Sequence, residues 1–145
     1  MINLKELLSS TKKILLIDWS DPNVPRTLVD AGFVVFCYSP NGYTQAEIVD
    51  QIPPGVNDNN IHPPKDSEKG YLVFRPLKRA PNSVDLVNIY RPEAEHLQII
   101  FKHVLPLHAK AIWLESLTAE STRALANKYN LIFVEGCNIA EVVRQ

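Results

Sequence analysis

With 145 residues, 46% of them hydrophobic and 21% charged, the chain has the make-up of one ordinary globular domain, long enough to bury roughly 68–70% of its unfolded surface. A formal charge of −1 offers no field to attract nucleic acid or an anionic membrane, and no stretch reaches the roughly 20 apolar residues of a bilayer span. The opening MINLKELLSSTKK carries an acid and no long apolar run, so it does not read as a signal peptide. Cys37 and Cys137 lie in apolar surroundings and fit two free thiols in a reducing cytoplasm.

In chain order, Lys13–Trp19 (KILLIDW) is the first of five short, continuous apolar runs and reads as a buried strand. The turn after it is Asp-Trp-Ser-Asp-Pro-Asn-Val-Pro, without a glycine. Val24, Thr27, Leu28 and Ala31 then recur at i, i+3, i+4 and i+7, which predicts a helix ending at Gly32. Phe33–Tyr38 (FVVFCY) is the second strand, and Ala46–Ile52 reads as a short helix. The tract PPGVNDNNIHPPKDSEKG makes Gln51–Gly70 a long, mobile loop, with Tyr71–Arg75 an extra short strand beyond it.

Asp85–Tyr90 is the next strand. A helix opening at Pro92 should then face Leu97, Ile100, Phe101 and Val104 inward, with Glu93 and Glu95 in its first turn and Lys102 and His103 in its last. Ala111–Glu115 is a strand, Thr118 caps a helix running to about Asn130, and Leu131–Glu135 is the last strand. Asn138 with Glu141 forms a capping-box pattern for a final helix whose Ile139, Val142 and Val143 point inward. Alternating strands and helices predict an α/β, Rossmann-like three-layer sandwich with a mainly parallel sheet of about five strands. It is expected as a single domain over residues 1–145, with a long loop insertion at about 47–70.

The ordered set KKILLIDWS, AGFVVFCYSPN, SVDLVNIYRPEAEHL, AKAIWLES and LIFVEGCNIAEV resembles the small stand-alone CoA-binding proteins of bacteria and archaea. These are similar to the CoA-binding domain of the succinyl-CoA synthetase α subunit. The resemblance implies CoA lying across the C-terminal ends of the strands, where open α/β sheets hold ligands at the topological switch point. Carried over by position, contacts come from Trp19, Ser20 and Asp21 after the first strand, with Asp18 and Arg26 in the same turn. Ser39, Pro40 and Asn41 follow the second strand, and Tyr90 and Arg91 the third.

This chain departs from the family at its first loop, where Asp18 stands in place of the glycine of a Gly-x-Ser sequence. A pyrophosphate at a helix start is held by free backbone N–H groups and the positive end of the dipole. Pro22 and Pro25 remove two such donors. Asp18 and Asp21 add two negative charges against Arg26, and like charges in a partly dry crevice cost about several kcal/mol. The cradle is in the right place but chemically degraded.

Other chemistries fit less well. NAD binding lacks the glycine fingerprint, and the second strand ends in Tyr38-Ser39 where an acid would grip the ribose. A phospho-acceptor receiver needs an aspartate and a lysine at strand ends that here read Ile89-Tyr90 and Glu135-Gly136. His62, His96, His103 and His108 have no metal-ligand spacing and read as surface or capping residues. Trp19 and Tyr90 either sandwich an adenine or close the rim. Arg91 either binds an anion or is solvated. Glu115 and Glu135, each ending a strand, read as solvated rim acids, and Cys137 as a buried free thiol. No catalytic constellation emerges. The function expected is a non-catalytic CoA or related nucleotide binder of weak affinity. The alternative is a degenerate member that works through protein contacts, self-association included.

Overall fold

All five apolar runs become parallel strands in the computed structural model, which describes residues 3–39, 42–116 and 120–145. A short helix α1 (Leu4–Ser9), capped by the Asn3 side chain, precedes β1 (Lys13–Ile17). Helix α2 (Asn23–Asp30) leads to β2 (Val34–Ser39), followed by β3 (Gly42–Val49), β4 (Ile61–His62), β5 (Tyr71–Pro76) and β6 (Leu86–Ile89). Next comes α3 (His96–Ile99), set between a 3-10 turn (Glu93–Glu95) and a π turn (Ile100–Val104). Strand β7 (Ala111–Leu114), α4 (Glu120–Lys128), β8 (Ile132–Glu135) and α5 (Ile139–Arg144) complete the order.

The sheet has eight strands in the order β4-β5-β3-β2-β1-β6-β7-β8. Its β2-β1-β6-β7-β8 half is parallel, whereas β3, β4 and β5 pair antiparallel beyond β2. Successive strand residues face opposite sides, which sorts the apolar runs into two cores. Ile14, Leu16, Cys37, Leu86 and Trp113 meet Leu7, Val24, Leu28 and Ile139 from α1, α2 and α5. Leu15, Ile17, Val87, Ile89, Ile112 and Leu114 meet Ile99, Ile100, Val104 and Ala126 from the opposite helical layer. Three layers result, and continuous apolar runs are what a doubly covered strand requires. Among the described residues no helix is long and apolar enough to cross a membrane.

Four sequence expectations need correction. Ala46–Ile52 is not a helix, because its first part belongs to β3, paired with both β2 and β5. Ala46 and Ile48 turn inward at a spacing of two, the strand period. Secondly, the buried stripe of the helical stretch after Pro92 is rotated. His96, Ile99, Ile100, His103 and Val104 are buried, while Leu97 and Phe101 stay 46% and 47% exposed. A polar anchor and the π turn override the apolar pattern here: the His96 ring bonds to Thr122 Oγ1 at 2.8 Å and to the Arg91 carbonyl at 2.9 Å. His96 and His103 are therefore not surface residues. Thirdly, Phe133, expected to be buried because it lies on the continuous apolar run Leu131–Glu135, is only half-buried, beneath the Arg123 guanidinium.

Fourthly, Arg26 is not at the phosphate turn. It is 5% exposed and fastens the long loop, donating to the carbonyls of His62 and Gly70 at 3.3 Å and facing Glu68 at 3.5 Å. A loop carrying little apolar surface of its own is thereby tied to α2 at its Ile61–Gly70 end.

The remaining caps follow the sequence. Gly32, at φ 98°, ends α2. Asn138 Oδ1 accepts from the N–H groups of Ala140 and Glu141 at 2.9 and 3.2 Å, capping α5. The Thr118 cap lies outside the described residues.

A crevice with an internal ion triad

The chain runs from β1 to β2 on one side of the sheet and from β6 to β7 on the other, so strand order reverses between β1 and β6. A crevice opens at the C-terminal ends of these strands. Asp18 follows β1 directly and sits at φ 63°, in the left-handed region that glycine adopts freely and other residues enter at a cost. Its carboxylate explains how it is held there. Oδ1 accepts from the Trp19 N–H at 2.9 Å and Oδ2 from Arg91 Nη1 at 3.1 Å. Arg91 in turn grips Glu95 through Nε and Nη2 at 3.1 and 2.8 Å. This bond holds the Glu95 carboxyl below the usual range and raises the guanidinium. An Asp18–Arg91–Glu95 triad thus spans the crevice.

Hollows lie on either side of the triad. The first, of about 240 Å³, is lined by Ile17, Trp19, Tyr38, Ser39, Gln98, Ile99, Lys102 and His103. The second, of about 280 Å³, is lined by Ile89, Tyr90, Pro92, His96, Leu114 and Ser116, and Asp18 and Arg91 border both. Trp19 stacks on Phe74 at 5.2 Å and borders the first hollow, whereas Tyr90 borders the second. The two aromatics therefore do not close on one ring between them.

At the start of α2 the backbone donors are already taken. Asn23 N–H donates to Asp21 Oδ1 at 2.7 Å, Val24 N–H to the Asp21 carbonyl at 3.1 Å, and Arg26 N–H to the Pro22 carbonyl at 3.2 Å. Pro25 has none to offer. The N–H groups of Ser20 and Asp21 have no partner among the described residues.

Of the sequence-derived site residues, Asp18, Trp19, Ser39, Tyr90 and Arg91 converge on the crevice, with Ser20 and Asp21 exposed on its turn. Arg26 does not, and Pro40 and Asn41 lie outside the described residues. Glu115 accepts from Asn138 at 3.0 Å and Glu135 from Arg123 at 2.8 Å, so each rim acid has a structural partner. The Cys137 thiol is only half-buried, and burial still pushes it up; the residue's carbonyl accepts from Trp113 Nε1 at 2.8 Å.

Sequence reasoning missed the wall of the first hollow. Tyr43 Oη is bonded to His103 Nδ1, and the Tyr38 ring lies 4.2 Å from the His103 ring. Burial, with Tyr38 adding to it, pushes the Tyr43 hydroxyl up to about 12. Burial and nearby Lys102 push the His103 imidazole down. Tyr43 therefore keeps its proton, and the imidazole it is bonded to is neutral. These partners sit 60 positions apart on a strand and a π turn, and no local motif marks the pairing.

A family model described as a CoA binding domain matches residues 23–142, so β1 and the Asp18–Pro22 turn fall outside the match. No curated protein matches the chain. Two solved structures share the fold. One is the cell-free ID.343 protein from Thermus thermophilus, with a TM-score of 0.63 and 19% identity over 97% of this chain and 93% of that one. The other is Prb, a protein redesigned for binding, with a TM-score of 0.62 and 17% identity over 95% and 85%.

Proposed function

The chain belongs to the CoA binding domain family, and on that premise we propose that it binds CoA, or a closely related nucleotide, without chemically altering it. The ligand lies across the β1–β6 crevice as a single-domain, cytoplasmic binder would hold it. The observation that carries this reading is the convergence of Asp18, Trp19, Ser39, Tyr90 and Arg91 on two hollows at the switch point. Affinity is weak, because the first-turn donors of α2 are used internally and Arg91 is already matched by two carboxylates.

Thermal shift with CoA, acetyl-CoA, NAD and ATP tests the reading. At 100 times its dissociation constant a ligand adds about 2.7 kcal/mol, several degrees for a chain of this size. CoA is expected to shift the midpoint and NAD to leave it unchanged. The outward Leu97 and Phe101 favour a second reading, a family member that has lost its ligand and works through protein contacts. An unmoved midpoint with every nucleotide, together with concentration-dependent association, would support that reading.

A further inference from the structure

We infer that the first hollow takes an uncharged nucleoside, a heteroaromatic base with its sugar, and that the adjoining acid-lined turn disfavours a ligand's phosphates. Binding strength then resides in base and sugar, and any pyrophosphate stays in solvent. This rests on the nucleotide-binding reading above and specifies which part of the ligand that site recognises.

Size and chemistry of the hollow agree. Its volume of about 240 Å³ falls below the roughly 300–1,000 Å³ of pockets that enclose a whole drug-sized molecule. It has room for a base and part of a sugar, not for a full coenzyme. Ile17 and Ile99 make an apolar floor, and the Tyr38 and His103 rings, tilted 51° to each other, give an aromatic wall. The Ser39 hydroxyl and Gln98 amide stand at the rim, where a base edge or a sugar hydroxyl needs donors and acceptors. His103 is fixed through Nδ1 by Tyr43, which leaves Nε2 without a partner among the described residues. Its imidazole is neutral, so Nε2 offers a neutral base one uncharged hydrogen-bonding atom rather than a cation seeking phosphate.

The turn points the same way. Asp18 takes the Trp19 N–H and one Arg91 nitrogen, and Asp21 takes the Asn23 N–H. These carboxylates occupy the Trp19 and Asn23 N–H groups, and the N–H groups of Ser20 and Asp21, which keep no partner among the described residues, lie in the stretch between Asp18 and Asp21. Three acids, Asp18, Asp21 and Glu95, stand around the crevice against Arg91 and Lys102. A phosphate reaching Arg91 meets a guanidinium whose Nε, Nη1 and Nη2 each already donate to a carboxylate, so its charge is matched before the ligand arrives.

Titration calorimetry with adenosine, adenosine 3′,5′-bisphosphate, CoA and pantetheine, each at low and high salt, tests this. Adenosine is expected to bind within about threefold of CoA, with little salt dependence and no measurable pantetheine binding. Gln98→Trp, at an exposed helix position beside the hollow, should fold normally and lose at least tenfold for both adenosine and CoA. CoA binding ten or more times tighter than adenosine, or falling steeply with salt, would overturn the inference while leaving the family reading intact. No binding of any of the four would remove both.

Discussion

Replacing Asp18 with glycine separates the turn's two contributions, to folding and to ligand choice. The backbone at φ 63° costs aspartate about 1–2 kcal/mol and glycine almost nothing. The Asp18–Arg91 pair that is lost is exposed, with side chains 45% and 41% accessible, and such pairs contribute about 0–1 kcal/mol. Glycine's greater unfolded-state entropy opposes the relief of strain by about 0.4–1 kcal/mol. Stability should therefore change by no more than about 1 kcal/mol. Ligand binding should change more. The substitution removes one negative charge and frees two donors, the Trp19 N–H and Arg91 Nη1, for a phosphate. One unit charge near a phosphate at an effective dielectric of about 20 is worth on the order of 1–3 kcal/mol after screening, or roughly ten- to a hundredfold in affinity. Titration calorimetry of both proteins should show CoA gaining that factor, with a new salt dependence, while adenosine is unchanged. Tight wild-type binding of CoA that the substitution does not alter would show that Asp18 has no part in excluding phosphates. An equal gain for adenosine would show that backbone freedom, not charge, was limiting.

Four further outcomes are expected. Trp113→Ala removes a fully buried indole and its hydrogen bond to the Cys137 carbonyl and should cost about 3–5 kcal/mol by denaturant unfolding; a loss under 1 kcal/mol would contradict the packing described. Arg26→Met leaves the carbonyls of His62 and Gly70 and the Glu68 carboxylate without their cation, so amide exchange across residues 61–70 should accelerate well beyond that of β1, and unchanged exchange would show that Arg26 does not fasten the loop. Gly70→Ala sets a Cβ 2.8 Å from Ile48 Cγ2 and 3.1 Å from the Val49 carbonyl at φ 84°, and destabilisation of about 1–3 kcal/mol is expected from thermal unfolding. His103 has its folded pKa pushed below the ordinary value near 6.5, so the unfolded chain binds its proton first and stability falls as pH drops through about 6.5 toward the folded pKa, at no more than about 1.4 kcal/mol per pH unit. His103→Gln should flatten that slope between pH 7.5 and 5.5 in chemical unfolding, and an unaltered slope would move the effect to another group, His62 included, whose pKa is shifted the same way.

The parallel half of the sheet was legible because each strand must be apolar on both faces, which leaves runs such as KILLI and AIWL unbroken. The antiparallel extension was not. In β3 the inward residues include Ala46 and the outward ones Gln45 and Glu47, so alternation was weak and a helical spacing fitted as well. Helix α3 misled for a related reason. Leu97 and Phe101 lie on a helical stripe, but the His96 bonds to Thr122 and the Arg91 carbonyl turn a polar face inward, and such bonds leave no trace in apolar periodicity. Arg26 was placed at the turn by its position in sequence, yet its partners come from residues 62, 68 and 70, a distance in sequence that no local pattern spans. The same limit hid the Tyr43–His103 wall of the hollow. Asp18 could be singled out because the family the chain resembles keeps a glycine there, and the backbone does sit at φ 63°, a demand whatever residue stands there must meet. Glycine meets that demand passively and leaves the crevice open to an anion. Aspartate meets it only by bonding to the next N–H and to Arg91, so its presence puts an acid at the mouth of the crevice. One side chain thus both meets the backbone's demand and charges the mouth of the crevice, and both effects belong to a local turn, whereas the wall beside it is assembled from residues far apart in sequence.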